Sequence, residues 1–271
     1  MALTSVAQAI RAALLTADPR AKVMATRAVA RDWRLERLAH RFDCPMPDRP
    51  ARPASPELVS PTQMPKRGRG QSEANRTAFL HALAHIEFNA IDLALDMAGR
   101  FGADQPPDFV TDWLSVAADE SLHFALLARR LRSMGSHYGA LVAHDGLWEA
   151  SASTAHDLLA RLAIVPLVLE ARGLDVSPAT IVRFEGAGDT RSARIMARIY
   201  ADEINHVATG FRWFSICCDS KGGPPEFQWQ QLVRTYFRGG LKPPFNDSAR
   251  ESAGLTRNFY SPLASAVISA Q

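Results

Sequence analysis

The stretch Asp119-Glu120-Ser121-Leu122-His123 places a carboxylate and an imidazole inside an apolar helical pattern. At about 100° per residue, the step from Glu120 to His123 leaves the two side chains about 60° apart on one helix face. Both side chains can therefore reach one metal ion. The stretch Asp202-Glu203-Ile204-Asn205-His206 repeats this arrangement further along the chain.

Two more carboxylates lie within apolar helical stripes, where a bundle core would not tolerate a bare charge. These are Glu87 and Glu170, and the chain separation is the same in both pairs, 120 − 87 = 33 and 203 − 170 = 33. The equal spacing indicates a pseudo-duplication in which each helix hairpin supplies half of a two-fold site. The order Glu, Glu-x-x-His, Glu, Glu-x-x-His is typical of dinuclear carboxylate proteins. The predicted metal ligands are Glu87, Glu120, His123, Glu170, Glu203 and His206.

The ligand atoms of these six residues indicate which metal the site would bind. Carboxylates and imidazoles suit iron or manganese, and the set contains no thiolate to select zinc or copper(I). Two divalent ions balance the four Glu charges, so the reduced site can be buried. We expect two iron ions, with Mn/Fe and Mn/Mn pairs left open. Asp119 and Asp202 are predicted to accept the second ring N–H of a ligand His on the opposite pair.

Helical periodicity surrounds these motifs, and no stretch alternates with a period of two. We expect an all-α fold built on a four-helix bundle. Its predicted helices run from the N-cap Ser72 to Gly102, from Asp108 to Gly135, from Thr154 to Gly173, and from the N-cap Asp189 to about Asp219.

Two different segments precede the bundle. Residues 5–41 predict amphipathic helices broken at Asp18-Pro19, and residues 45–65 contain seven prolines, which favour an extended strap lying on the main domain. A further helix is expected over residues 229–237. The predicted domains are a helical extension (1–44), a Pro-rich strap (45–71), the bundle (72–220) and a C-terminal helix and tail packed on the bundle (221–271).

Composition excludes several classes of protein. The 271 residues are 47% hydrophobic and 22% charged, which excludes low-complexity and wholly disordered chains. Three cysteines encode neither a disulfide framework nor an iron–sulfur site. No apolar run is long enough to span a membrane, and Arg11 interrupts the region where a signal peptide would be apolar, so a cytoplasmic location is expected.

The net charge is +3, from 31 basic and 28 acidic residues. If the four ligand Glu are neutralised by metal, the remaining balance is 31 − (28 − 4) = +7. This favours an anionic substrate or electron-donor partner and leaves RNA as an alternative partner.

Other polar residues near the motifs receive structural interpretations. His81 and His85 lie off the Glu87 face and are expected to pack rather than bind metal. Tyr200 is expected to be a packed aromatic, with a redox role as the alternative. Arg172 and Asp175 predict an ion pair, and Pro166 is expected to distort its helix and open space for substrate or O₂.

The chain resembles the ferritin-like superfamily and, more narrowly, a bacterial ferritin-like family of unknown function. The resemblance covers nearly the whole chain. The Glu-Ala-Arg of helix three is also similar to the diiron hydroxylase that acts on a modified adenosine of tRNA. The resemblance implies that the six predicted ligands bind a dinuclear metal centre. It does not identify a substrate. It is carried by His85-Ile86-Glu87, Asp119-Glu120, His123-Phe124, residues 170–175, residues 202–207, Gly210, Trp213-Phe214 and residues 243–246.

These observations lead to an expected activity, a non-haem dinuclear iron oxidoreductase that activates O₂ to oxidise or hydroxylate an organic substrate. No catalytic residue beyond the metal ligands is predicted. The sequence has no Gly-rich nucleotide loop, so electrons must come from a separate protein or from the substrate. The alternatives are a ferroxidase or peroxide scavenger, a tRNA-modifying hydroxylase, and a metal-stabilised scaffold without catalysis. A monomer or small homo-oligomer is expected, because the leading residues and strap do not suit a storage cage.

Overall fold

Helices dominate the computed structural model, which describes residues 3–65 and 72–264. Within these ranges the strands are only two residues long, and Thr4–Ser5 pairs in parallel with Leu38–Ala39. The predicted all-α class is confirmed. The chain divides into two compact units, the first ending at Glu149 and the second beginning at Ala150. The predicted domain bounds stay predictions.

The first unit begins with two short amphipathic helices, α1 (Val6–Leu14) and α2 (Pro19–Arg34). Asp18 starts α2 because its side chain accepts a hydrogen bond from the Ala21 amide at 2.7 Å. Pro19 fits the first helical turn, where its missing N–H costs nothing. The predicted break at Asp18-Pro19 is therefore confirmed.

Helices α3 (Glu73–Phe101) and α4 (Pro107–Ser133) form a long hairpin in the same unit. Ser72 caps α3 as predicted, its hydroxyl accepting a hydrogen bond from the Asn75 amide at 3.3 Å. A 3₁₀ turn over Gly102–Asp104 joins the two helices. Within the described residues, Glu73–Asp104 is the one segment long and apolar enough to cross a bilayer, and most of it is buried. A core helix of a folded domain has the same character.

The Pro-rich segment lies against α3 in the extended form that its prolines predict. Met46 is buried, and its Sδ fills the space beside Gly99 where a Cβ would otherwise stand. Arg52 donates hydrogen bonds to Asn89 and Asp92 on α3. A 3₁₀ turn, Pro61–Gln63, follows. Residues 45–65 thus contact α3, whereas residues 66–71 of the predicted strap lie outside the described ranges.

The short helix α5 (Gly146–Ala152) contains the residues at which the first unit ends and the second begins. The second unit then contains a continuous helical stretch formed by α6 (Leu158–Ile164), a π-helical segment (Val165–Glu170) and α7 (Ala171–Gly186). The distortion predicted at Pro166 is confirmed, because proline lacks the N–H of a regular turn and its ring clashes with the preceding one.

The predicted end of this helix at Gly173 is wrong. A single Gly costs a helix only about 1 kcal/mol, and the following turns bury Leu174 and Phe184, which offsets that loss.

Helix α8 (Thr190–Lys221) pairs with α7 and starts at the predicted cap Asp189, whose side chain accepts a hydrogen bond from the Ser192 amide at 3.0 Å. In the described residues of the unit, three shorter helices follow, α9 (Pro225–Tyr236), α10 (Asp247–Ser252) and α11 (Arg257–Tyr260), and then a 3₁₀ turn (Ser261–Leu263). The C-terminal segment is held on α7 by Arg250, which donates two hydrogen bonds of 2.8 Å to the buried Asp175.

Gly210 on α8 lies directly against the π-helical segment. A Cβ at this position would come within 2.3 Å of the Pro166 Cβ. We expect Gly210→Ala to lower the free energy of unfolding by about 1–3 kcal/mol, because the rigid ring must be displaced. Urea denaturation followed by circular dichroism measures this change.

Gly186→Ala is the matched control, because a Cβ there meets nothing within 4 Å. It should leave stability unchanged or slightly raised, since Ala is the better helix former. An equal decrease in the free energy of unfolding in the two variants would contradict the close packing of α8 on Pro166.

Candidate metal centre

The first hairpin brings its two predicted Glu ligands to the same level. Glu87 lies 101 − 87 = 14 residues before the end of α3, and Glu120 lies 120 − 107 = 13 residues after the start of α4. In an antiparallel hairpin, equal distances from the turn put two residues side by side. The second hairpin is similar, with 186 − 170 = 16 and 203 − 190 = 13 residues.

A compact cluster of Glu87, Glu120 and His123 results from this alignment. Each of the three side chains is buried and offers one ligand atom, and these atoms lie within 4.8 Å of one another. The His123 Nδ1 is 3.2 Å from the Glu87 Oε2 and 3.3 Å from the Glu120 Oε2. Two carboxylate oxygens and one imidazole nitrogen therefore converge on one point, which is the donor chemistry of iron and manganese sites.

Burial makes this cluster electrostatically costly. Desolvation, together with the nearby Glu120 charge, raises the pKa of Glu87 to about 8. Burial alone would lower the pKa of His123, but hydrogen bonds to Glu120 and Glu87 outweigh it and raise that pKa. The three groups thus compete for protons, and a divalent cation would replace those protons and neutralise the carboxylates.

In the second unit, Glu203 and His206 are both buried on α8. The His206 Nδ1 is 3.8 Å from the Glu203 Oε1, so the same ring nitrogen faces the preceding Glu as in the first unit. Glu170 is partly buried and ends the π-helical segment. One turn later, a Cβ at Gly173 would lie 3.9 Å from the Glu203 Cγ, so this face of α7 is directed at α8.

The two histidines near Glu87 have hydrogen-bond partners outside the cluster, in agreement with their predicted packing role. The His81 Nε2 accepts a hydrogen bond from the Gly139 amide at 3.0 Å. The His85 ring lies 3.0 Å from both the Tyr138 hydroxyl and the His144 carbonyl oxygen. Burial lowers the pKa of each histidine to about 4.

Other singled-out residues also have partners. Arg172 and Asp175 form the predicted ion pair at 3.4 Å. The Tyr200 hydroxyl accepts a hydrogen bond from the Asn246 side chain at 2.9 Å, which ties it to the C-terminal segment. Asp202 accepts one from Arg198 on its own helix at 2.5 Å. The roles predicted for Asp119 and Asp202 in orienting His ligands stay predictions.

Sequence reasoning missed a buried ionic network beside the hairpin. The Lys22 Nζ is 2.5 Å from the Asp92 Oδ1, both side chains are fully buried, and Arg52 contacts the other Asp92 oxygen. Burial lowers the pKa of Lys22 and raises that of Asp92. The available signal was Asp92 within an apolar helix, five residues and therefore about 140° from Glu87. This network joins α2 and the strap to α3.

Comparison with known proteins places the chain in a family. A family model described as "Protein of unknown function (DUF455)" matches residues 15–261. The chain belongs to the DUF455 family. A relative from Haemophilus influenzae, described as an uncharacterized protein, is 41% identical over 212 residues, covering 76% of this chain and 73% of the relative. No solved structure gives a significant match. The predicted relationship to a family of unknown function is confirmed.

Metal binding by the cluster of Glu87, Glu120 and His123 can be tested by removing its imidazole. His123→Ala removes one of the three converging donors, so we expect the affinity for Fe(II) or Mn(II) to fall by at least about 100-fold, more than loss of an outer-shell partner would cause. Anaerobic titration against a competing chelator measures this affinity.

His137→Ala, at an exposed histidine, is the control and should bind metal like the parent protein. Unchanged affinity in the His123 variant would exclude that residue as a ligand.

Proposed function

We propose that this protein is a ferritin-like non-haem dinuclear iron oxidoreductase. The observation that supports this most strongly is the convergence of Glu87, Glu120 and His123 in a buried position. The second unit repeats the pattern in sequence with the same 33-residue separation between Glu170 and Glu203. In this proposal each hairpin contributes one Glu and one Glu-x-x-His, and the two together hold two metal ions.

The donor set fits two iron ions, with Mn/Fe and Mn/Mn as variants. Four carboxylates offset the charge of two divalent ions, which removes the cost of burying either alone. The two His ligands direct Nδ1 toward the Glu of their own helix, at 3.3 Å for His123 and 3.8 Å for His206. Two iron ions, when bound, would supply the electrons that activate O₂ for oxidation or hydroxylation of an organic substrate.

Aromatic side chains pack next to the proposed ligands of the first hairpin. Phe88 follows Glu87 and Phe124 follows His123, and their ring centroids are 5.1 Å apart. Tyr138 packs edge-on against Phe124 at 5.0 Å. This aromatic cluster packs α3 against α4 next to the proposed ligands.

The proposal includes the origin of the electrons and the cellular setting. We propose an external electron donor, since the sequence has neither a Gly-rich nucleotide loop nor an iron–sulfur cysteine set. We also propose a small or anionic organic substrate, a cytoplasmic location, and a monomer or small homo-oligomer.

Reconstitution with Fe(II) under anaerobic conditions tests the activity. We expect about two iron ions per chain, because six ligands suit a dinuclear site. Mixing with O₂ in a stopped-flow spectrometer should then give oxidation of the bound iron together with stoichiometric O₂ uptake. Glu120→Gln should reduce both quantities, because it removes an anionic ligand from the first half of the site.

Glu185→Gln is the control, because Glu185 is exposed on α7 and should be dispensable. Fewer than about one metal ion per chain would favour the scaffold alternative. Repeated oxidation of added Fe(II), with iron as the consumed substrate, would favour a ferroxidase.

A further inference from the structure

A groove of about 670 Å³ runs between α2 and α4 in the first unit. Three arginines and one tryptophan of α2 line one wall, and two hydroxyl residues of α4 line the other. In chain order these are Arg27, Arg31, Trp33, Arg34, Thr111 and Ser115. The volume is within the range of about 300–1,000 Å³ that is typical of small-molecule sites.

The groove lies on the side of α4 that faces away from the candidate metal centre. At 100° per residue, Thr111 is about 180° from Glu120 around the helix, and Ala118, which also lines the groove, is about 160° away. The groove therefore belongs to a separate surface, and its function does not depend on the metal proposal.

The arginines of the groove form one continuous positive edge. Arg27, Arg31 and Arg34 fall within about 60° of one another around α2 because they are spaced by four and three residues. Arg31 is already held by Asp32 through contacts of 2.9 and 3.1 Å. In the described part of the chain, Arg27 and Arg34 have no carboxylate partner, and no carboxylate lines the groove. Two guanidinium groups are thus available to an anion.

The tryptophan supplies an aromatic surface of fixed orientation. The Trp33 Nε1 donates a hydrogen bond to the Thr111 Oγ1 at 2.9 Å, which ties the indole across to α4. The His40 ring packs against it with a centroid distance of 5.9 Å. Apolar side chains, including Ala28 and Leu114, complete the lining. A planar ring can stack on such a surface without first having to order it.

We propose that this groove binds a phosphate-bearing ligand with a planar aromatic ring, which is the chemistry of a nucleotide. Arg27 and Arg34 bind the phosphate by charge-assisted hydrogen bonds, and Trp33 stacks on the ring. The ligand is either a free nucleotide or one nucleotide of a single-stranded RNA, since both present the same two groups.

Isothermal titration with AMP, adenosine and inorganic phosphate tests the two halves of the site. AMP should bind more tightly than either fragment. Arg27→Gln with Arg34→Gln should weaken AMP binding by about tenfold or more while leaving adenosine unchanged, because charge-assisted bonds are the stronger kind. Trp33→Leu should weaken AMP and adenosine alike by about fivefold or more, as expected for loss of one stacked base.

The matched control is the double variant Arg129→Gln with Arg132→Gln, which removes the same charge from exposed positions of α4 outside the groove. It should change AMP affinity less than about twofold. Equal losses in the two double variants, or no binding of AMP and of a decauridylate by the parent protein, would overturn the proposal. Displacement of AMP by decauridylate at lower concentration would identify RNA as the source of the nucleotide, and no displacement would identify a free nucleotide.

Discussion

The burial of Glu87, Glu120 and His123 at one point is the constraint on which the first unit depends. Two carboxylates within contact of an imidazole are stable out of water only when protons or a cation balance their charge. Helices α3 and α4 must also stay aligned, because a shift of one residue turns each side chain by about 100°. The aromatic packing of Phe88 and Phe124 beside the ligands maintains this alignment.

A second buried carboxylate in the same helix, Asp92, has its charge balanced by basic side chains. Asp92 is contacted by Lys22 from α2 and Arg52 from the strap, two basic side chains. Glu87 and Glu120 instead contact His123, whose charge depends on a proton. Basic side chains of the chain itself thus balance the charge of Asp92, whereas the cluster contains an imidazole donor and could hold a metal ion.

Features set by local chemistry could be predicted from the sequence. Ser72, Asp18 and Asp189 cap helices because a side-chain oxygen reaches an amide two or three residues away. The pairing of Glu120 with His123 follows in the same way from helical geometry. Features that depend on distant residues could not be predicted. Lys22 and Asp92 are 70 residues apart, and helix α7 continues through Gly173 because of tertiary burial, which local propensity does not contain.

The two hairpins differ in backbone geometry next to a proposed ligand. The first hairpin runs as regular α-helix through Glu87, whereas the second reaches Glu170 through a π-helical segment. Such a segment gives up regular hydrogen bonds and is retained mostly at functional sites. Here it is stabilised on both sides, since Pro166 prevents a regular turn and Gly210 on α8 leaves room for the ring. This difference between the hairpins therefore follows from two positions of the sequence, Pro166 and Gly210, and it changes the backbone that leads to Glu170.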